Sequence, residues 1–148
     1  MQQNQEKTEL VLAGLGLLAM TIWLGSLFAD VGIYPLTQGD SHADSGWVLL
    51  EWGWIGPFVL SVAWYGNILL PISIVTLLRG RTPDFRLATV SLGIAVSGLL
   101  PIVGLDARWD VPWSLVRGPA VWLWLASFVI AWLPAAYSRW VGERRQIS

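Results

Sequence analysis

Cysteine is absent and histidine occurs once, at His42. Without thiols there are no disulfides, no thiolate metal sites and no thiol redox relay. A single imidazole cannot supply both axial ligands of a haem, so a b-type cytochrome is excluded unless another chain contributes one. Charge is scarce too: Asp, Glu, Lys and Arg make up 13% of the 148 residues, against ~25% in a soluble domain. Nine Lys and Arg nearly balance ten Asp and Glu, so net charge points to neither nucleic acid nor a polyanionic partner. No glycine-rich nucleotide loop, metal-binding histidine pair or serine nucleophile elbow is present.

What remains is apolar, at 55% of the chain. Four segments, Leu10–Ala29, Ile55–Leu78, Leu87–Leu105 and Pro119–Tyr137, carry no Asp, Glu, Lys, Arg or His. Each is about as long as the ~20 residues a helix needs to cross a bilayer. The expected fold is therefore all-α: a four-helix, multi-pass transmembrane bundle, with residues 1–148 as one integral membrane domain. The polar start, Met1–Glu9, runs into an apolar stretch longer than a cleavable signal requires, so the first segment reads as a retained span. Ionisable groups inside the membrane are the usual mark of proton pumps and ion-coupled carriers, and their absence from the spans argues against active ion transport.

The longest apolar region is Trp47–Leu78, interrupted by Glu51, Asn67 and Pro71. As one helix its 32 residues would reach about 48 Å, beyond the ~30 Å hydrocarbon core. The expected lipid boundary lies near Trp52 and Trp54, with Glu51 among the headgroups and Asn67 and Pro71 deeper.

Cation placement sets the expected orientation. Lys7, Arg79, Arg81, Arg86, Arg139, Arg144 and Arg145 fall on one side, with only Arg108 and Arg117 on the other. Positive charge marks the inner side of short loops, so both termini are expected in the cytoplasm of a bacterial-type inner membrane. The outer face is then acidic, with Asp30, Asp40, Asp44, Glu51, Asp106 and Asp110. It is also rich in tryptophan: Trp47, Trp52, Trp54, Trp109, Trp113, Trp122 and Trp124 lie at or near that boundary, seven of the eleven in the chain. An anchoring belt is the common origin of such clustering. The functional alternative is a docking rim for a protein partner, built from Trp47, Glu51, Trp52, Trp54, Asp106, Arg108, Trp109, Asp110 and Trp113, because tryptophan anchors hot spots and carboxylates attract a basic surface.

Inside the spans the polar candidates are Asn67 and Ser97. Pro71 and Pro101 cannot donate to the carbonyls of Asn67 and Ser97, which predicts two kinks, each with a freed carbonyl. Interhelical bonding is the ordinary use of such groups, and orienting a small ligand the alternative. Ala88, Ser91, Ala95 and Gly98 form a small-residue face that places the third span at the centre of the bundle; Gly25 with Ala29, and Ala131 with Ala135, offer further close approaches.

Two weaker constellations complete the candidates. Gly39 to Asp44, with Asp40, Ser41 and His42, has metal- or hydrolase-like residue types but reads as a polar loop, so no metal ligand set is assigned. Glu51 is the single catalytic candidate, if it meets Asp106, Asp110, Arg108 and Arg117 at the lipid surface. The inner segment Arg79–Arg86 reads as a topology signal that meets anionic headgroups.

Trp23-Leu24-Gly25 followed by Tyr34-Pro35 resembles the first span of small four-helix membrane proteins related to copper-resistance and haem-pathway proteins. That resemblance implies a histidine upstream on the same helix, and none is present, so neither copper nor haem function follows. No cofactor is expected. The composition points to a protein without its own catalytic centre that acts by contact in the bilayer: an accessory subunit of a membrane complex, or an immunity protein against a membrane-acting toxin. The alternatives are a membrane enzyme or binding protein for a lipid-like or quinone-like molecule, and a passive pore formed by homo-oligomers.

Overall fold

The structure, a computed structural model, describes residues 2–35, 41–52, 63–99 and 118–147. Four helices form its core: α1 (Gln2–Phe28), α3 (Gly66–Leu78, after a 3-10 turn at Ala63–Tyr65), α4 (Phe85–Ser97) and α5 (Pro119–Ile147). Between α1 and α3 lie a hairpin of strands β1 (Asp30–Pro35) and β2 (Ser41–Ser45) and the short helix α2 (Gly46–Trp52). The core is all-helical, as expected. Where its polar residues suggested a loop, the connector between α1 and α2 forms paired strands at Asp30–Pro35 and Ser41–Ser45; residues 36–40 lie outside the described residues. Asp30 pairs with Ser45 and Tyr34 with His42, and Val31, Ile33 and Tyr34 are residue types that favour extended backbone.

Two helices, α1 and α5, are long and apolar enough to cross a membrane. Both outrun their apolar segments. α1 begins at Gln2 rather than Leu10, and α5 continues past Tyr137 to Ile147. Gln, Glu, Lys and Arg are good helix formers, so apolarity marks only part of each helix. Local bonds support the polar ends, including Gln5 Nε2 to Glu9 Oε1 at 3.2 Å and Arg139 Nε to Glu143 Oε1 at 2.8 Å.

Of the Trp47–Leu78 stretch, α2 covers the part up to Trp52 and the helical run Ala63–Leu78 the rest that is described; residues 53–62 lie outside the described residues. Residues 55–62 and 100–105 of the second and third expected spans, with the Pro101 kink, lie outside the described residues.

The turn between α3 and α4 is specified by its sequence. Gly80, at φ 69°, closes α3: its N–H donates to Leu77 O at 2.8 Å, and the Arg81 N–H donates to Thr76 O at 3.1 Å. That pair of bonds satisfies two end carbonyls and needs a left-handed residue, which glycine adopts without steric cost. Asp84 then caps α4, its carboxylate accepting the Leu87 N–H at 2.9 Å.

Around the ring, α1 packs on α3, α3 on α4, α4 on α5, and α5 back on α1. Neighbours run antiparallel: Gly16 meets Leu77 and Trp23 meets Asn67, while Ala63 meets Gly98 and Thr89 meets Trp132. The interior is built largely from small residues, including Ala19, Ser26, Ala88, Ser91, Ala95, Ser127, Ala131 and Ala135, around the larger Leu70, Leu77 and Phe128. The small face of α4 is buried at Ala88, Ser91 and Ala95, yet α4 sits at a corner and meets α3 and α5. A small-residue face marks close approach, and the helices that meet all three others are α3 and α5.

Glycine decides where α1 crosses α3. A Cβ on Gly16 would lie 2.9 Å from both Leu77 Cβ and Leu78 N, whereas one on Gly25 would meet nothing within 4 Å among the described residues. The expected approach at Gly25 is therefore replaced by Gly16. Gly16→Val is expected to destabilise the fold by ~1–3 kcal/mol through overpacking, with Gly25→Val within ~0.5 kcal/mol of wild type, both read by thermal unfolding in detergent.

Candidate functional site

Asn67 occupies the second position of α3, twelve residues before Arg79 and so about 18 Å along a helix from the polar turn. Its carbonyl oxygen Oδ1 accepts two indole protons, from Trp23 Nε1 of α1 at 3.1 Å and from Trp124 Nε1 of α5 at 2.8 Å. An indole only donates, so the amide oxygen rather than its nitrogen faces both rings. One side chain thereby ties three helices together at one level.

Local structure on both flanking helices repeats. Trp23-Leu24-Gly25-Ser26 and Trp124-Leu125-Ala126-Ser127 share a Trp-Leu-small-Ser order. In each, the buried serine donates to the carbonyl of its own tryptophan at 2.6 Å. The serine hydroxyl is thus satisfied within its helix while the indole reaches across to Asn67. Gly66 makes room for the arrangement, since a Cβ there would lie 3.0 Å from the Phe128 ring. Phe128 packs edge-on against Trp124 with centroids 4.9 Å apart. Pro71, inside α3, removes the N–H that would bond the Asn67 backbone carbonyl.

This clamp contains no group that titrates near neutral pH and no nucleophile, so its chemistry is cohesion. Interhelical bonding, the ordinary reading of Asn67, matches the geometry. Ser97 does not join it: its hydroxyl donates to Ile94 O at 2.6 Å within α4. Trp124 is half-buried at the clamp rather than part of an outward belt, whereas Trp122, on the same helix, is exposed.

The proposed rim is described only in part. Trp47 and Glu51 are exposed on α2, and Trp52 closes that helix. α2 is held at its start by Gly46 N–H donating to Ala29 O at 3.0 Å, and near its end by Trp64 Nε1 donating to Leu50 O at 2.9 Å. Trp54, Asp106, Arg108, Trp109, Asp110 and Trp113 lie outside the described residues, as does Arg117, so the suggested meeting of Glu51 with the outer connection falls there as well. Among the described residues no group of three His, Asp or Glu side chains is placed to hold a metal ion. The indole donors were missed from sequence, although the doubled Trp-Leu-small-Ser order and the lone mid-segment asparagine were signals that pair them.

No family model, curated protein or solved structure matches the chain.

Replacing Asn67 by Ala leaves two half-buried indoles without their acceptor and is expected to cost about 1–4 kcal/mol. In a Trp23→Phe/Trp124→Phe background the same change is expected to cost at least twofold less, a coupling read from a thermodynamic cycle of thermal unfolding in detergent.

Proposed function

We propose that the chain is a multi-pass integral membrane protein in which α1, α3, α4 and α5 all cross the bilayer, with both ends in the cytoplasm. It acts by contact with another protein, as an accessory subunit of a membrane complex or as an immunity protein that blocks a toxin at the membrane. The observation that carries this reading is the inversion of the packed helices. Small and hydroxyl side chains fill the interior, while Leu10 (73% exposed), Val11, Leu17, Leu18, Leu24 and Phe28 (81% exposed) cover the outside of α1 alone. α3, α4 and α5 add Ile68, Ile72, Val75, Val90, Val96, Val129 and Leu133. In water such a surface aggregates; in lipid it is the solvated face, and small residues make the helix contacts.

α3 and α4 are individually short of the ~20 residues a crossing needs. The adjoining sequence, Ile55–Val62 before α3 and Leu100–Leu105 after α4, contains no charged residue and supplies the missing length. Protein contact is favoured over chemistry because the indole protons and the amide oxygen of the clamp are engaged in holding helices. The outer connections meanwhile combine Trp109 and Trp113 with Asp106 and Asp110, the residue types of a binding hot spot and of electrostatic partner choice.

The test is purification of the full chain in mild detergent, with mass spectrometry of copurifying species, alongside Asp106→Lys/Asp110→Lys. A stoichiometric protein partner that is lost on charge reversal, with the variant still folded, supports the proposal. Retention of the partner by the variant removes the rim from the interface. A protein that carries only a lipid or quinone contradicts the contact role.

A further inference from the structure

At the end of the ring opposite α2, an open cleft of about 550 Å³ separates the α3–α4 turn from the last turns of α5. Its walls include Thr82, Asp84, Phe85, Arg86, Arg139 and Glu143. Both acids are already engaged. Asp84 accepts the Leu87 N–H, and Glu143 accepts Arg139 Nε at 2.8 Å. The arginines retain donors: only the Nε of Arg139 is used by Glu143, and Arg86 is exposed with no ion pair among the described residues. Arg79 and Arg81 stand in the adjoining turn. The walls thus balance two carboxylates with two guanidiniums that keep donors free, and Arg79 and Arg81 in the adjoining turn tip the surroundings positive.

Aromatic side chains set its depth. Arg139 lies over the Phe85 ring at 4.7 Å, which fixes its guanidinium against α4. Trp132 donates to Thr89 Oγ1 at 3.0 Å and joins α4 to α5 above it. Tyr137 and Trp140 are exposed, with Arg144 stacked on Trp140 at 4.0 Å. Exposed Tyr and Trp beside arginine mark the headgroup level of a bilayer, and farther along the same two helices Val90 and Leu133 are exposed. The space is within the ~300–1,000 Å³ of small-molecule sites, and planar guanidinium groups pair with phosphate oxygens by charge-assisted bonds.

We propose that this cleft is a binding site for the phosphate headgroup of an anionic phospholipid, held by Arg86 and Arg139, with the acyl chains lying along α4 and α5. The site rests on the membrane reading above. A bilayer lipid presents a phosphate at the level of the cleft and apolar chains beside Val90 and Leu133, which a soluble phosphate does not. Arg139 is shared with Glu143, so that carboxylate opposes headgroup binding and sets its strength.

The test is native mass spectrometry of the full chain, purified in detergent and given equal amounts of phosphatidylglycerol and phosphatidylethanolamine. Phosphatidylglycerol is expected to be retained preferentially. Arg86→Gln should weaken retention about fivefold, the fold-change of one surface cation worth ~1 kcal/mol. Glu143→Gln should strengthen it, and Arg144→Gln, outside the cleft, should leave it unchanged. Equal retention of both lipids, no effect of Arg86→Gln, or displacement of phosphatidylglycerol by inorganic phosphate at equal concentration overturns the proposal. Alkaline extraction of the same membranes separates the two levels of failure. A chain that stays in the pellet without lipid preference defeats the site alone, and one released to the supernatant defeats the membrane reading.

Discussion

A tryptophan packed between apolar helices has one indole proton to place and few acceptors in reach. Backbone carbonyls are occupied by the helix itself, so the proton finds a side chain on another helix or goes unpaired at a cost of about 1–3 kcal/mol. Asn67 solves this for Trp23 and Trp124 together, with the two lone pairs of a single amide oxygen. An amide is suited to the place because it accepts two bonds without carrying a charge, which a carboxylate would bring between apolar helices. Because the three residues belong to α1, α3 and α5, their bonds fix the relative depth of three helices, which apolar contact alone sets only loosely.

The rest of the packing follows from letting backbones come close enough for those bonds. Gly66 admits the Phe128 ring beside Asn67, and Gly16 admits Leu77 where α1 crosses α3. Ser26 and Ser127 satisfy themselves on the carbonyls of the tryptophans they follow, so neither competes for Asn67. α4 is attached differently, through its buried Ala88, Ser91 and Ala95 and through the Trp132–Thr89 bond to α5. The Gly80 turn and the Asp84 cap return it alongside α3. The polar end of the molecule thus carries specific hydrogen bonds and arginines, and the helices between carry small residues and one amide clamp.

Much of this was legible in the residues. Uncharged apolar segments located the four core helices, and the Ala88–Gly98 face and the Ala131–Ala135 pair marked real contacts. Asn67 stood out because a lone amide in an apolar segment demands a partner. Its partners did not, since tryptophan serves both as an interface anchor and as a donor, and composition cannot tell Trp124 from Trp122. Helix ends were hidden for a related reason: polar residues at 2–9 and 138–147 continue helices where hydropathy stops. The hairpin was obscured by Gly, Ser and Asp, whose turn preference outweighs a few β-branched neighbours when pairing across the hairpin is unknown. Gly16 and Gly25 are equivalent as letters, and only the crossing point of α1 and α3 separates them.

Hydrogen exchange of the tryptophan indole protons, followed by nuclear magnetic resonance in micelles, addresses the clamp directly. Trp23 and Trp124 should be the slow pair and the exposed Trp47 and Trp122 fast, with Asn67→Ala releasing both members of the pair at once. Exchange of Trp23 and Trp124 as fast as Trp122, or protection unchanged in Asn67→Ala, would show that the three helices are not held through this amide.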